Sequence, residues 1–321
     1  MKSRLFLFLA LILIILISCT KFSNKIRVGY LEIANSLPLY TAMENNLFRE
    51  NGIEVELLKF TNSNDLIEAL LSNRIDVEIS ASTAVLYSIE TRKSKQFKIF
   101  STNIQSTSKY PDFIIVNKNF KGNSLSDLKN KKIGTFPGST FMIITKLIFK
   151  DFLNLEDLTI ESIPPMAQIE ALASNKVDAI FTLEPFATLA LINANGRILE
   201  YAPSEKYVID PLPGGVASFS TYFEKNNPKL AKKFVDSFDK SIDLIRSNES
   251  KARNYLTIYT PISEDLSKKI HLVEYWKSNE INTEILQKYA DILYNEGGLV
   301  SKVNAENMIY ERKWIYRLWP T

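Results

Sequence analysis

Phe136-Pro137-Gly138-Ser139-Thr140 is the stretch of this 321-residue chain whose chemistry is easiest to read. A glycine after a proline lets the backbone turn tightly, and the first N–H groups of a helix starting near Ser139 have no partner inside that helix. With the Ser139 and Thr140 hydroxyls and the positive end of the helix dipole, they suit an anionic or strongly hydrogen-bond-accepting group. A glycine turn with an ordinary Ser/Thr cap explains the same residues without a ligand. The Gly-Lys-Ser/Thr ending of a nucleotide-hydrolysing loop is missing. Comparable small polar residues stand at Asn35-Ser36, at Ser80–Thr83 and at Thr182–Pro185. In the last of these, Glu184 precedes Pro185. A carboxylate there either stabilises a helix start or accepts a hydrogen bond from an amine or ring N–H of a ligand.

Catalysis finds little support. His271, in Lys-Lys-Ile-His-Leu-Val-Glu-Tyr-Trp, is the only histidine and stands apart from all four places, so it reads as a packed or surface residue. No Gly-x-Ser-x-Gly elbow and no His-Glu-x-x-His helix occurs. Cys19 is the only cysteine, which excludes disulfides within the chain and zinc sites of the Cys/His type. The expected chemistry is that of binding, by a protein that is not an enzyme and uses neither metal nor cofactor.

The elements that would position these residues follow from periodicity. Lys25–Leu31 is a β-rich run, Pro38 opens a helical pattern ending at Asn51-Gly52, and a strand follows from Ile53. That is a βαβ unit, with a parallel sheet and a right-handed crossover. The chain then repeats itself. Leu66–Asp76 and Gln168–Asp178 share seven of eleven residues, each reading as a helix, a Ser-Asn turn and a strand. A spacing of about a hundred residues is too wide for a solenoid and fits two similar α/β domains. Strands expected at Ile75–Ile79, Lys132–Phe136 and Val177–Phe181 end at the polar residues named above. In open α/β sheets ligands bind beyond such strand ends. From about Asn227 to Gly297-Gly298 the pattern is helical. Strand-like crossings near Phe113–Asn117 and Val208–Ser218 bracket the second domain, so the first is discontinuous and regains the C-terminal helices.

The ends and the composition set the setting. Lys2 and Arg4 precede an unbroken apolar run, Leu5–Ile17, shorter than the ~20 residues of a spanning helix and suited to a signal peptide. It closes in Leu16-Ile17-Ser18-Cys19, which resembles the lipobox of bacterial lipoproteins and implies cleavage before Cys19 and lipidation of its thiol. An uncleaved N-terminal anchor is the plainer alternative. Loss of Lys2 and Arg4 lowers the formal charge from +3 to +1, so no basic surplus marks a nucleic-acid partner.

Taken in order, VGYLEIANSLPLYTAMENNLFRENGIEVEL, LIEALLSNRIDVEISAS, KKIGTFPGST and QIEALASNKVDAIFTLEP resemble the substrate-binding proteins of ABC importers. The closest group handles nitrate, sulfonates, taurine and thiamine pyrimidine precursors. The resemblance spans essentially all of the mature chain. It implies an α/β, two-lobed periplasmic-binding-protein fold, each lobe a mainly parallel sheet flanked by helices, with the ligand cleft between lobes. The implied division is 1–18 signal peptide, 19–24 tether, 25–114 with 216–321 as lobe 1, and 115–215 as lobe 2. The implied binding residues are Asn35, Ser36, Ser82, Thr83, Gly138, Ser139, Thr140, Glu184 and Pro185. The implied partners are a small-molecule ligand and an ABC permease and ATPase complex. The protein is expected to be a monomer, exported and held to a bacterial membrane only through its lipid. A yeast-type enzyme of this fold makes thiamine pyrimidine from its own histidine and pyridoxal phosphate, and His271 is misplaced for that role. The absence of Arg or Lys at the strand ends, Lys109 excepted, together with Glu184, leans toward a neutral or amine-bearing heterocycle such as a thiamine precursor or a flavin. Adhesion or sensing without transport is the other function class.

Overall fold

The computed structural model describes residues 24–311. The expected signal peptide 1–18 and Cys19 lie outside the described residues. The strands are β1 (Lys25–Leu31), β2 (Glu54–Phe60), β3 (Val77–Ser82), β4 (Phe97–Gln105), β5 (Asp112–Asn117), β6 (Lys132–Thr135), β7 (Thr159–Ser162), β8 (Ala179–Leu183), β9 (Gly196–Tyr201), β10 (Leu212–Ser220) and β11 (Glu274–Trp276). They form a six-stranded sheet, β11-β4-β10-β3-β1-β2, and a five-stranded sheet, β7-β6-β8-β5-β9. Among the described residues no helix is long and apolar enough to cross a membrane.

The sheets are mixed, not mainly parallel as expected. The βαβ units give the parallel pairs β1–β2, β1–β3, β6–β7 and β6–β8. By contrast β10 runs antiparallel to β3 and β4, and β5 runs antiparallel to β8 and β9. The reason is connectivity. The chain leaves the first sheet after Gln105 and returns at Leu212, so the strands flanking each crossing enter from the opposite end. Both crossings fall a few residues before the expected boundaries at 114/115 and 215/216.

The repeated segment makes the same local structure twice. In each copy a helix, Ser63–Leu71 or Pro165–Ala173, is closed by a serine hydroxyl donating to a glutamate carbonyl: Ser72 to Glu68 and Ser174 to Glu170, both at 2.8 Å. The next residue, Asn73 or Asn175, takes a left-handed conformation, which asparagine tolerates better than most residues. The following amide, Arg74 or Lys176, then returns to the carbonyl of Ala69 or Ala171 at 2.9 Å. The strand that follows starts later than its apolar residues suggest, at Val77 and at Ala179, and runs on to Ser82 and Leu183.

The C-terminal helices Pro228–Ser247 and Glu249–Tyr259 pack on the first sheet. There Phe234 and Phe238 meet Phe100 and Phe219 in an aromatic cluster. The helical pattern after Asn227 is interrupted by β11, a three-residue edge strand paired with β4 that periodicity does not reveal. The helix Thr283–Asn295 crosses back, and its Leu286 carbonyl accepts the Tyr87 hydroxyl at 2.9 Å. One hydrophobic core joins this helix to residues of both sheets, including Ala81, Ile114, Ile133 and Phe181. The strand ends of the two sheets are thereby held facing each other.

Candidate ligand-binding site

A cavity of about 240 Å3 lies where those strand ends meet. The first sheet contributes residues at or after the ends of β1 and β2, at the end of β3, and at the adjoining ends of β4 and β10. The second contributes residues at or after β5, β6, β7 and β8. Phenylalanines 60, 136, 141, 181 and 186 make much of the wall, and small polar groups from the first sheet interrupt it.

Of the residues singled out from sequence, Asn35 and Ser82 line the cavity. The Asn35 carbonyl accepts from Asn103 Nδ2, which also reaches Ser80 Oγ, both at 3.4 Å. The Ser82 N–H donates to Ser63 Oγ at 3.0 Å. Ser36 is turned inward and donates to the Leu31 carbonyl at 2.7 Å. Thr83 is buried in the first turn of the helix Thr83–Glu90, behind Ser82, and its hydroxyl has no partner among the described residues. Phe136 and Pro137 of the glycine turn line the cavity, whereas Gly138 and Thr140 do not. Gly138 has φ 115°, and a Cβ built there would lie 2.9 Å from Asn64 Nδ2 of the opposing sheet's helix. Its lack of a side chain thus serves the approach of one sheet's elements to the other's.

Glu184 and Pro185 stand beside the cavity without lining it. The buried Glu184 carboxylate accepts from the Thr188 N–H at 3.1 Å, the Thr188 hydroxyl at 2.9 Å and the His271 N–H at 3.4 Å. Burial pushes its pKa up to about 7 against these hydrogen bonds. Glu184 is therefore occupied by the start of the helix Phe186–Asn193 and by the His271 segment. His271 is exposed, the surface one of its two readings, but it is not remote from the strand ends. Its ring stacks on Tyr110 at 4.9 Å, and its backbone touches Glu184. Lys109 is exposed and does not line the cavity. Tyr40 belongs to the core, stacked on Tyr259 at 4.4 Å.

The Ser80–Ser82 edge is shaped from below by Glu78, which is fully buried. Its carboxylate accepts from Ser218 Oγ at 2.7 Å and from the Ala81 N–H at 3.0 Å. Burial drives its pKa up to about 8. Ser80 takes φ 69°, and the β3–β10 register slips between Val216 and Ala217. The slip leaves Ser80 without a partner on β10, and Ser80 and Ser82, two residues apart on the strand, both line the cavity.

Two carboxylates and no lysine or arginine line the cavity among the described residues. Glu32 is paired with Lys59 at 2.8 Å. Asp112 has no such counter-ion and is fully buried. Sequence reading missed Asp112, which opens a strand taken as a crossing, and Gln105, at the end of β4, and it missed Tyr289 because that residue arrives from a distant helix. Thr61-Asn62-Ser63 carried a usable signal: a strand followed by a cap, with the Asn62 side chain accepting the Asp65 N–H at 2.9 Å.

Two sheets flanked by helices, facing each other across a cleft at their strand ends, define the periplasmic-binding-protein fold. The chain belongs to the NMT1/THI5 like family, whose model matches residues 33–252. A 4-amino-5-hydroxymethyl-2-methylpyrimidine phosphate synthase of Saccharomyces cerevisiae is 24% identical over 243 residues, covering 73% of this chain and 70% of that protein. The periplasmic aliphatic sulphonate binding protein of Escherichia coli superposes with a TM-score of 0.72 at 17% identity, over 90% of this chain and 92% of its own. The ligand binding component of an ABC-type import system from Staphylococcus aureus gives a TM-score of 0.74 at 20% identity, over 89% and 96%.

Proposed function

We propose that this chain is an extracytoplasmic solute-binding protein of an ABC importer, binding one small neutral or amine-bearing heterocycle between its lobes and delivering it to a permease and ATPase. A thiamine pyrimidine precursor is the solute type we favour. The observation that carries this reading is the cavity itself. It is smaller than the ~300–1,000 Å3 usual for drug-sized ligands, largely aromatic, and bordered by an unpaired carboxylate with no lysine or arginine. A sulfonate or nitrate would meet Asp112 at close range without a cation to offset it. The likeness to import and binding proteins supports a transport role, and His271, committed to Tyr110 and Glu184, gives no support to a role as histidine donor. The two lobes, expected from sequence as 25–114 with 216–321 and 115–215, divide in this account at the crossings between β4 and β5 and between β9 and β10. Cys19 carries the lipid that tethers a monomer to the membrane after removal of residues 1–18.

A thermal-shift panel tests it, with 4-amino-5-hydroxymethyl-2-methylpyrimidine, thiamine, riboflavin, taurine, ethanesulfonate, nitrate and bicarbonate. A ligand at ~100 times its Kd stabilises by ~2.7 kcal/mol. A shift with the heterocycles alone is expected. A shift with the anions alone keeps the importer and discards the solute class. A flat panel on well-folded protein favours adhesion or sensing.

A further inference from the structure

Asp112 opens β5 on the face that carries Ile114 and Val116 into the core shared by the sheets. One of its oxygens accepts the Ser204 N–H at 3.2 Å. The Glu205 carboxyl and the Ser204 hydroxyl lie within hydrogen-bonding range of this carboxylate, while its Oδ1 and both oxygens of Glu205 receive no backbone N–H among the described residues. The two side chains face each other within hydrogen-bonding reach, and both are almost wholly buried. Two carboxylates so placed cannot both be ionised, so the pair retains one proton. Burial and the Asp112 charge push Glu205 up to about 11, which leaves the proton on Glu205 and the charge on Asp112. The other titratable groups that the pair feels are Asp210 and Tyr289, neither of which is a cation.

A buried carboxylate without a counter-ion is costly until its acceptor sites are filled, and the donors of Ser204 and Glu205 leave part of the ~4 sites of Asp112 open. Asp112, Ser204 and Tyr289 all border the cavity, so a further donor can arrive from there. We propose that Asp112, backed by the Glu205 carboxyl, is the recognition point for an N–H donor of the bound solute: an amine, an amidine or an amino-substituted ring. This rests on reading the cavity as a small-solute site. It assigns to Asp112 the ligand contact that Glu184, held by Thr188 and His271, is not free to make. The aromatic wall holds the body of such a solute, and Asp112 fixes its orientation.

The test is calorimetric titration of the full-length chain with 4-amino-5-hydroxymethyl-2-methylpyrimidine and with ethanesulfonate, in wild type, Asp112→Asn and Glu205→Gln. Asp112→Asn is expected to weaken the aminopyrimidine roughly tenfold to hundredfold, the size of a lost charge-assisted hydrogen bond. It removes a buried charge, so the variant should melt no lower than wild type. Glu205→Gln keeps a donor toward Asp112, so it should weaken the probe less than Asp112→Asn does, and an equal or larger loss overturns the assignment of the contact to Asp112. Aminopyrimidine binding that Asp112→Asn leaves unchanged overturns the assignment and keeps the small-solute site. So does wild-type ethanesulfonate binding that Asp112→Asn leaves unchanged, because removal of a carboxylate facing the solute must strengthen an anion. Absence of binding by either probe to wild type overturns the assignment together with the solute classes it rests on.

Discussion

Asp76 and Asp178 stand in equivalent places in the two sheets and make the same hydrogen bond. Each carboxylate accepts, at 2.9 Å, a backbone N–H of the neighbouring strand: that of Arg27 at the start of β1 and that of Lys132 at the start of β6. Each aspartate amide returns to the carbonyl of that same residue at 2.8 Å. The strand that leads to the cavity is thus tied to its parallel neighbour before it begins.

The two ties differ in strength, and this gives a first prediction. Asp76 also receives the Arg27 side chain in a two-point contact, Nε at 3.0 Å and Nη2 at 2.7 Å, whereas Asp178 is reached only loosely by Lys131 at 3.6 Å. Asp76→Ala should therefore cost about 2–3 kcal/mol and Asp178→Ala about 1 kcal/mol, read from urea unfolding. Equal losses would show that the Arg27 contact adds nothing.

Gly138 gives a second. Its φ of 115° is a region that L side chains rarely adopt, and Asn64 leaves no room for a Cβ. Gly138→Ala should destabilise by about 1–3 kcal/mol. Adding Asn64→Ala relieves the contact but not the backbone strain, so only part of the stability should return. Full recovery in the double variant would place the whole cost in the contact.

Stability should fall as pH rises above neutrality. Burial pushes the carboxyls of Glu184, Glu78 and Glu205 up to about 7, about 8 and about 11. Each holds its proton more tightly folded than unfolded, so its contribution is complete below the unfolded pKa near ~4.3 and is lost as pH climbs through the folded value. Burial lowers the His271 pKa and works in the opposite direction below neutrality, which makes pH 7–9 the clean window. There Glu205 alone contributes a slope of about 1.4 kcal/mol per pH unit. Urea midpoints should drop across that window, and Glu205→Gln should flatten the drop. A midpoint that rises with pH would contradict these assignments.

Cys19 supplies a fourth. Cys19→Ser should shift the protein from the membrane fraction to the soluble one and abolish the mass increment of a lipid on the N-terminal peptide. Unchanged fractionation would favour an uncleaved anchor.

Much of this architecture was legible beforehand because it rests on local rules. The Ser-Asn turn, its left-handed asparagine and the aspartate after it each act within a few residues, so the repeat could be read as two like units. The cavity was legible only in outline. Asn35 follows the end of β1 by four residues and Ser82 is the last residue of β3, where a strand-end rule looks. Asp112 begins the first strand after the chain crosses between sheets, and Tyr289 comes from a helix more than a hundred residues away. Those positions depend on tertiary pairing, which periodicity does not contain. Glu184 shows the opposite case: its residue type suits a ligand contact, while its local helix start and His271 take up both oxygens.

The most direct measurement is calorimetric titration of 4-amino-5-hydroxymethyl-2-methylpyrimidine into the wild-type chain and into Thr61→Trp. Thr61 is exposed at the cavity mouth, so a tryptophan there obstructs entry without disturbing the core. The account predicts one binding event per chain in wild type and its loss in Thr61→Trp at unchanged melting temperature. Binding that survives Thr61→Trp, or wild type that binds only the anions, would contradict a donor-bearing solute held between the sheets.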